Sequence, residues 1–156
     1  MNGYLEPYVP WVNDTWTKVE KKMSAVRERS ADKIPYTAEN GVHDDWKDKK
    51  ISRWTNGFWA GLLWLMYMET GEERYREIAE YNEKLLDKAL CDTENLNHDV
   101  GFLWLLSAGA NYRLFGGAES KNRILTAASV LAARYHIEKR FIRAWNGDEK
   151  KGFSII

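Results

Sequence analysis

The feature that most narrows the choice of fold is an alternation of two kinds of helix-sized segment, repeated once. Residues 54–70 are apolar nearly all round and stop at Gly71, while residues 72–90 carry Tyr75, Ile78, Ala79, Leu85, Leu86 and Ala89 on one stripe. Residues 99–115 are again mostly apolar and stop at Gly116-Gly117. Residues 119–135 then carry Ile124, Ala128, Leu131 and Tyr135 on one face, with Arg and Lys opposite. A helix apolar on every side belongs inside a fold; one apolar along a single stripe lies outside it with the stripe turned inward. Glycine just past an apolar segment supplies the left-handed residue at which a helix ends. Two inner–outer pairs in series predict stacked helical hairpins, an all-α, two-layer architecture whose inner helices share one side for their N-terminal ends. Gly57-Phe58 and Gly101-Phe102 fall at equivalent points 44 residues apart, in keeping with a hairpin repeat.

Ahead of these pairs, Val12, Trp16, Val19, Met23 and Val26 are spaced 4, 3, 4 and 3, one face of a helix from Pro10 to about Arg29. Pro10 suits the first turn, where a missing N–H is harmless. Residues 30–53 run polar and aperiodic and read as a long loop, either a solvated connection or a rim that shapes a cleft. No strand is required anywhere, since Ile34-Pro35-Tyr36 and residues 153–156 are too short for more than edge pieces. The most apolar stretch, Gly57 to Met68, is 12 residues, well short of the roughly 20 that span a bilayer. Gly57 and Gly61 therefore mark close packing of a buried helix rather than a membrane dimer.

Composition removes several classes of function. With 23 basic and 23 acidic side chains among 156 residues, no concentrated positive surface is offered to nucleic acid or to an anionic membrane. Cys91 is the only cysteine and cannot form an internal disulfide. No CxxC or HExxH spacing exists to hold zinc, so neither a metal nor a cofactor is expected. Cys91 itself reads as a small half-buried hydrophobe. Residues 1–11 carry an acid and two prolines where a secretory leader is basic and then apolar, and a cytoplasmic location is expected. A chain of this length buries roughly 68–70% of its unfolded surface, enough for one packed domain over 1–156 without a staple.

Eight Trp and eight Tyr exceed what a chain of this size needs. Tryptophan fills cores, but its flat apolar face also matches the C–H face of a sugar ring while its N–H reaches a hydroxyl. Two turns bring Trp together with polar residues, Arg53-Trp54-Thr55-Asn56-Gly57 and Arg143-Ala144-Trp145-Asn146-Gly147, and a third, Asn97-His98-Asp99-Val100-Gly101, is polar without a Trp of its own. By the hairpin argument they lie at one end, where Trp54 and Asp99 can face one cleft. Asp99 opens an inner helix. One reading is an N-cap worth about 0.5–2 kcal/mol; the other is an ionised carboxylate that accepts bonds from substrate hydroxyls or serves as a base. His98 either hydrogen-bonds a ligand or is structural, and His43 and His136 have no such context. No GxSxG, phosphate loop or nucleophile with a neighbouring His is present.

The pairing of WTNGFWAGLLWL at 54–65 with NHDVGF at 97–102, followed by IRAWNG at 142–147, resembles the unsaturated glucuronyl hydrolases, family 88 of the glycoside hydrolases. The resemblance implies part of an (α/α)₆ barrel acting on oligosaccharides that polysaccharide lyases leave, which end in a 4,5-unsaturated uronic acid. In that family an acid protonates C4 of the vinyl ether, water adds at C5, and the hemiketal opens to release the neighbouring sugar, without metal or cofactor. Carried over by motif, Asp99 matches the essential first aspartate that contacts hydroxyls of the unsaturated ring. His98 matches the adjoining site position, Trp54 (or, with a shifted alignment, Trp59) a stacking tryptophan, and Trp145 a second cleft aromatic.

One departure bears on activity. The family's second aspartate, the expected general acid, follows an apolar segment reading Ile-Ile-Asp, whereas this chain ends Ser154-Ile155-Ile156. The expectation is an incomplete barrel domain with little turnover of its own, which self-associates through its exposed apolar helices. The alternatives are a non-catalytic helical sugar-binding or interaction module, and a related unsaturated rhamnogalacturonyl hydrolase.

Overall fold

A computed structural model of the chain describes residues 5–146. A short 3-10 turn, Glu6–Tyr8, leads into α1 (Val9–Arg29), with Pro10 in its first turn as its missing N–H allows. A second 3-10 turn, Trp54–Gly57, leads into α2 (Phe58–Thr70), which ends at Gly71 with φ 69°. Helix α3 (Glu73–Leu90) returns antiparallel after two residues. Helices α4 (Val100–Trp104), α5 (Ala108–Phe115) and α6 (Ala118–Ala132) follow. Helix α2 packs along α3, and α4 and α5 both pack on α6. The turn 54–57 meets α4, and α5 touches α2 and α3. The two hairpins thus stand side by side, as the apolar and striped segments require.

Where the residues depart from the sequence expectation, the cause is local. The segment 99–115 is not one helix: the chain breaks at 105–107, where Ser107 has ψ −90° and its hydroxyl donates to the carbonyl of Leu103 at 2.5 Å. A side chain that competes for the helical acceptor offers the backbone an alternative to continuing. Helix α6 ends at Ala132, short of the expected residue 135, and turns Ile124, Ala127 and Leu131 inward while Ala128 and Tyr135 are exposed. Tyr135 belongs instead to one of two minimal antiparallel hairpins, β1–β2 (Ala38–Glu39 with Val42–His43) and β3–β4 (Tyr135–His136 with Phe141–Ile142). These correct the expectation of no strand. Cys91 is exposed, not half-buried.

The core has two parts that share α3. Val26, Trp59, Leu63, Trp64, Met66, Tyr75, Ile78 and Ala79 form one; Leu86, Ala89, Leu96, Val100, Leu103, Trp104, Ala108 and Ala127 form the other, joined by Ile34 from the long connection. Each large side chain so buried is worth about 1.5–3 kcal/mol. Between the hairpins sits Glu83, 1% exposed, which accepts from Asn111 on α5 and from Ser120 and Arg123 on α6. Arg123 also forks onto Asp87, with both bonds at 2.6 Å. A buried carboxylate satisfied from two other helices fixes their register.

Gly57 and Gly61 do mark close packing. A Cβ on Gly57 would lie 2.5 Å from the Leu103 carbonyl oxygen, and one on Gly61 would lie 3.2 Å from Leu106 Cβ. Helix α2, expected to be buried all round, keeps one face open among the described residues: Phe58, Leu62, Leu65 and Met68 are 40–59% exposed. On α1 only Val26 of the expected face is buried, with Trp16 and Met23 half-buried. No helix among the described residues is long and apolar enough to cross a membrane.

Candidate active site

The N-terminal ends of α2 and α4 lie side by side because Gly57 lets the turn 54–57 press against the backbone of Phe102 and Leu103. That contact gathers three aromatic rings. Trp54 stands 5.7 Å from both Phe58 and Phe102, which are 5.9 Å from one another. Trp54 is 42% exposed, whereas Trp59 is buried in the core, so Trp54 is the tryptophan of this turn with a face open to a ligand. The turn is fixed from within by Asn56, fully buried, whose amide donates to the carbonyls of Lys50 and Ile51.

The second cluster forms at the start of α4. Asn97 accepts the backbone N–H of Asp99 at 2.8 Å. Asp99 occupies the N-cap position, yet its carboxylate makes no capping bond. It faces His98 instead, with Oδ1 3.3 Å from Nε2 and both side chains only 19% exposed. The other ring nitrogen of His98, Nδ1, lies 3.1 Å from the carbonyl oxygen of Ala144, which also accepts the backbone N–H of His98. A carbonyl only accepts, so Nδ1 carries hydrogen. The contact between Nε2 and Asp99 is then attractive when a proton lies between them, on one partner or the other. The imidazole also meets the Trp145 ring edge to face at 4.8 Å.

Of the residues singled out in the sequence, His98, Asp99 and Trp145 are therefore in mutual contact or one contact apart. Trp54 reaches them through Phe102, three residues beyond Asp99. A groove of about 550 Å³ beside Trp54 runs between α1 and α2, lined by Met23, Tyr36, His43, Phe58 and Trp59 among others; His98, Asp99 and Trp145 do not line it. Pro35, Tyr36 and His43 of the long connection, residues 30–53, close its far side. They are held by Asp44, which takes bonds from the backbone of Tyr36 and Thr37, the hydroxyl of Thr37 and the indole of Trp46. Arg53 lies over Tyr36 and Trp46 and donates to the Tyr36 hydroxyl. His136 stacks on Phe141 in the β3–β4 hairpin, away from this cluster of contacts. Among the described residues no group of His, Cys, Asp and Glu is arranged as metal ligands would be.

Sequence reading missed Arg134. Its guanidinium donates to the carbonyls of Arg143, Leu96 and Ala144 and to Oδ1 of Asn146. Asn146 in turn donates to the carbonyls of Glu94 and Leu96. No motif advertises a residue whose partners are mostly backbone oxygens outside its own turn. The expected position of a second aspartate, after Ser154-Ile155-Ile156, lies outside the described residues.

Paired helices with the N-terminal ends of two inner helices meeting at an aromatic and acidic rim are the architecture of the α/α barrels, of which this chain forms part. No family model matches it. The chain is similar to the unsaturated glucuronyl hydrolases. It is 42% identical over 106 residues to the enzyme of that name from Bacillus sp. (strain GL1), covering 66% of this chain and 28% of the relative. It is 39% identical over 101 residues to the unsaturated chondroitin disaccharide hydrolase of Streptococcus pyogenes serotype M1, covering 64% and 25%. Among solved structures, an Asp-to-Asn variant of UGL with dGlcA-Glc-Rha-Glc superposes with TM-score 0.74 at 33% identity, over 88% of this chain and 37% of that one. The unsaturated glucuronyl hydrolase of Streptococcus agalactiae, as an Asp-to-Asn mutant complexed with dGlcA-GalNAc6S, superposes with TM-score 0.68 at 28% identity, over 80% and 33%. The chain thus spans about a quarter of the length of these curated relatives and about a third of these solved chains.

Proposed function

We propose that this chain carries the first part of a glycoside hydrolase site that releases 4,5-unsaturated uronic acid from oligosaccharides left by polysaccharide lyases. The observation that carries the proposal is Asp99: at a helix N-cap, where an aspartate ordinarily bonds the backbone, its carboxylate is turned onto His98 beside Trp145. A carboxylate kept from its structural partner, a neighbouring imidazole and two partly exposed tryptophans together suit a sugar with several hydroxyls. The similar structures support the same reading, since Asp-to-Asn variants of those proteins were seen with dGlcA-containing saccharides.

In this reading Trp54 and Trp145 stack on sugar faces, and Asp99 with His98 orients the hydroxyls of the unsaturated ring. A proton is added at C4 and the oxygen of a water molecule bonds to C5, consuming the double bond. The water gives up one proton to solvent, and the C5 hemiketal opens to a ketone as the bond from C5 to the ring oxygen breaks. The hemiacetal this leaves at C1 collapses to an aldehyde, breaking the C1–O bond and releasing the neighbouring sugar with a hydroxyl. The donor of the C4 proton is assigned to no described residue, and no metal or cofactor is invoked. The lone exposed Cys91 fits a reducing compartment, and a cytoplasmic location belongs to the same proposal.

The test incubates the protein, in the full length its gene encodes, with an unsaturated chondroitin disaccharide and an unsaturated rhamnogalacturonan disaccharide, following loss of the ultraviolet absorbance of the conjugated double bond. Loss with the first supports the proposal. Loss with the second alone makes the protein an unsaturated rhamnogalacturonyl hydrolase, and saturable quenching of Trp fluorescence without loss of absorbance makes it a binding module.

A further inference from the structure

Leu96, Arg134 and residues 143–146 converge behind the His98–Asp99 pair, and one side chain ties them together. Arg134 sits just past α6. Its Nε donates to the Arg143 carbonyl at 2.7 Å, and Nη1 donates to Asn146 Oδ1 at 2.6 Å and to the Leu96 carbonyl at 3.3 Å. Its Nη2 donates to the Ala144 carbonyl at 2.8 Å. Four of the five N–H donors of a guanidinium are thereby committed, all to neutral oxygens. The Arg143 backbone N–H returns a bond to the Arg134 carbonyl at 2.9 Å, so the two residues clasp one another across the base of the β3–β4 hairpin.

The decisive atom is the carbonyl oxygen of Ala144. It accepts Nη2–H of Arg134, the backbone N–H of His98 at 3.2 Å and the ring Nδ1–H of His98 at 3.1 Å. Whatever fixes that oxygen fixes the plane of the imidazole, and with it the approach of Nε2 to Asp99 and the edge-to-face contact with Trp145. We propose that Arg134 is a positioning residue of this site: through the Ala144 carbonyl it sets His98 against Asp99 and holds Trp145 at the rim. This rests on the functional reading above for what is positioned, but not for whether Arg134 does the positioning.

Arginine is required by geometry rather than charge. The acceptors belong to residues 96, 143, 144 and 146 and spread around a planar fork, whereas a lysine gathers its three donors on one nitrogen and cannot reach all four. Burial and the neighbouring Arg143 both pull the Arg134 pKa down. The guanidinium therefore sits in a place that is costly for a cation, as a residue kept for its hydrogen-bond geometry would.

The experiment compares the chain with Arg134→Lys and Arg134→Gln. Nuclear magnetic resonance reads the ring-proton shifts of His98, displaced by the ring current of Trp145, with methyl shifts of Leu63 and Leu86 as controls for the two core regions. Trp fluorescence titrated with an unsaturated chondroitin disaccharide reads binding. The expected result is that both variants keep the control shifts, lose the ring-current displacement of His98 and bind the disaccharide at least about tenfold more weakly. His98 shifts unchanged in either variant, or full affinity with Arg134→Lys, would overturn the proposal. If the unaltered chain does not bind the disaccharide, the functional reading fails, while the His98 shifts still decide the role of Arg134. Should both variants fail to fold, amide exchange in the unaltered chain decides. The His98 amide should then exchange no faster than Arg134 Nε–H, and much faster exchange would show that the two are not coupled.

Discussion

Nε2 of His98 lies 3.3 Å from Oδ1 of Asp99, and the opposite ring nitrogen is held by the carbonyl of Ala144. The carboxylate is therefore placed by its neighbour and not by the helix it precedes. Because no capping bond is lost, Asp99→Asn is expected to shift the unfolding free energy by less than about 0.5 kcal/mol and to leave helix content unchanged. Turnover by the protein in the full length its gene encodes should fall to background. Circular dichroism and the absorbance assay, run on the same preparation, check both halves; substantial turnover would remove Asp99 from the mechanism.

At Gly57 the space is bounded by backbone, which cannot step aside. A Cβ there would stand 2.5 Å from the Leu103 oxygen and 2.7 Å from its Cα, while at Gly101, the second residue of α4, it would meet nothing within 4 Å. Gly57→Ala is expected to cost about 3 kcal/mol or more, and Gly101→Ala to be neutral or mildly stabilising. Denaturant midpoints for the two variants give the contrast, and equal midpoints would mean that the helix ends are not in contact.

Asp44 gives the long connection a pH limit. Burial alone would raise its carboxyl, but the backbone N–H groups of Thr37 and Tyr36, the Trp46 indole and the Thr37 hydroxyl outweigh that and lower it to about 2 from the usual 3.8. A carboxyl depressed on folding stabilises fully above its unfolded value, and that contribution disappears as pH falls through the folded one. Order in residues 34–46 should therefore be retained at pH 5 and be lost between about pH 4 and pH 2. Fluorescence of Trp46 reports it, and Asp44→Asn should flatten the transition.

The open face of α2 invites a second copy. Phe58, Leu62, Leu65 and Met68 form an exposed row that shares a groove with Leu106 of the neighbouring segment. Soluble monomers rarely carry a contiguous patch of this kind beyond a few hundred Å². Sedimentation of the 156-residue chain should show concentration-dependent association, relieved by Leu62→Lys combined with Leu65→Lys. A single sharp monomer at all concentrations would contradict it.

How much of this is legible in the sequence depends on how local the cause is. Gly71 and Gly116 end helices through their own backbone conformation, so α2 and α5 stop where the glycines stand. The face of α3 follows from periodicity alone. The break at Ser107 is a competition between a hydroxyl and a backbone donor for the Leu103 carbonyl, which apolar pattern does not register. The inward face of α6 rotates to Ala127 because Arg123 is drawn to Asp87 and Glu83, partners roughly forty residues away in the chain. At the site, Asp99 and His98 stand out because they are chemically conspicuous in an apolar setting. Arg134 does not, since three of its four acceptors are backbone carbonyl groups that every residue possesses.

The clasp between Arg134 and Arg143 separates what happens inside the β3–β4 hairpin from what happens at the site. The chain leaves at Arg134, passes Ile137, 81% exposed, and returns at Arg143 to a point fixed by bonds in both directions. Residues 135–142 are in effect a detachable finger: lengthening, shortening or recolouring it leaves the anchored pair, and with it His98 and Trp145, where they are. That arrangement lets the sequence of the finger drift without disturbing the residues anchored at its base.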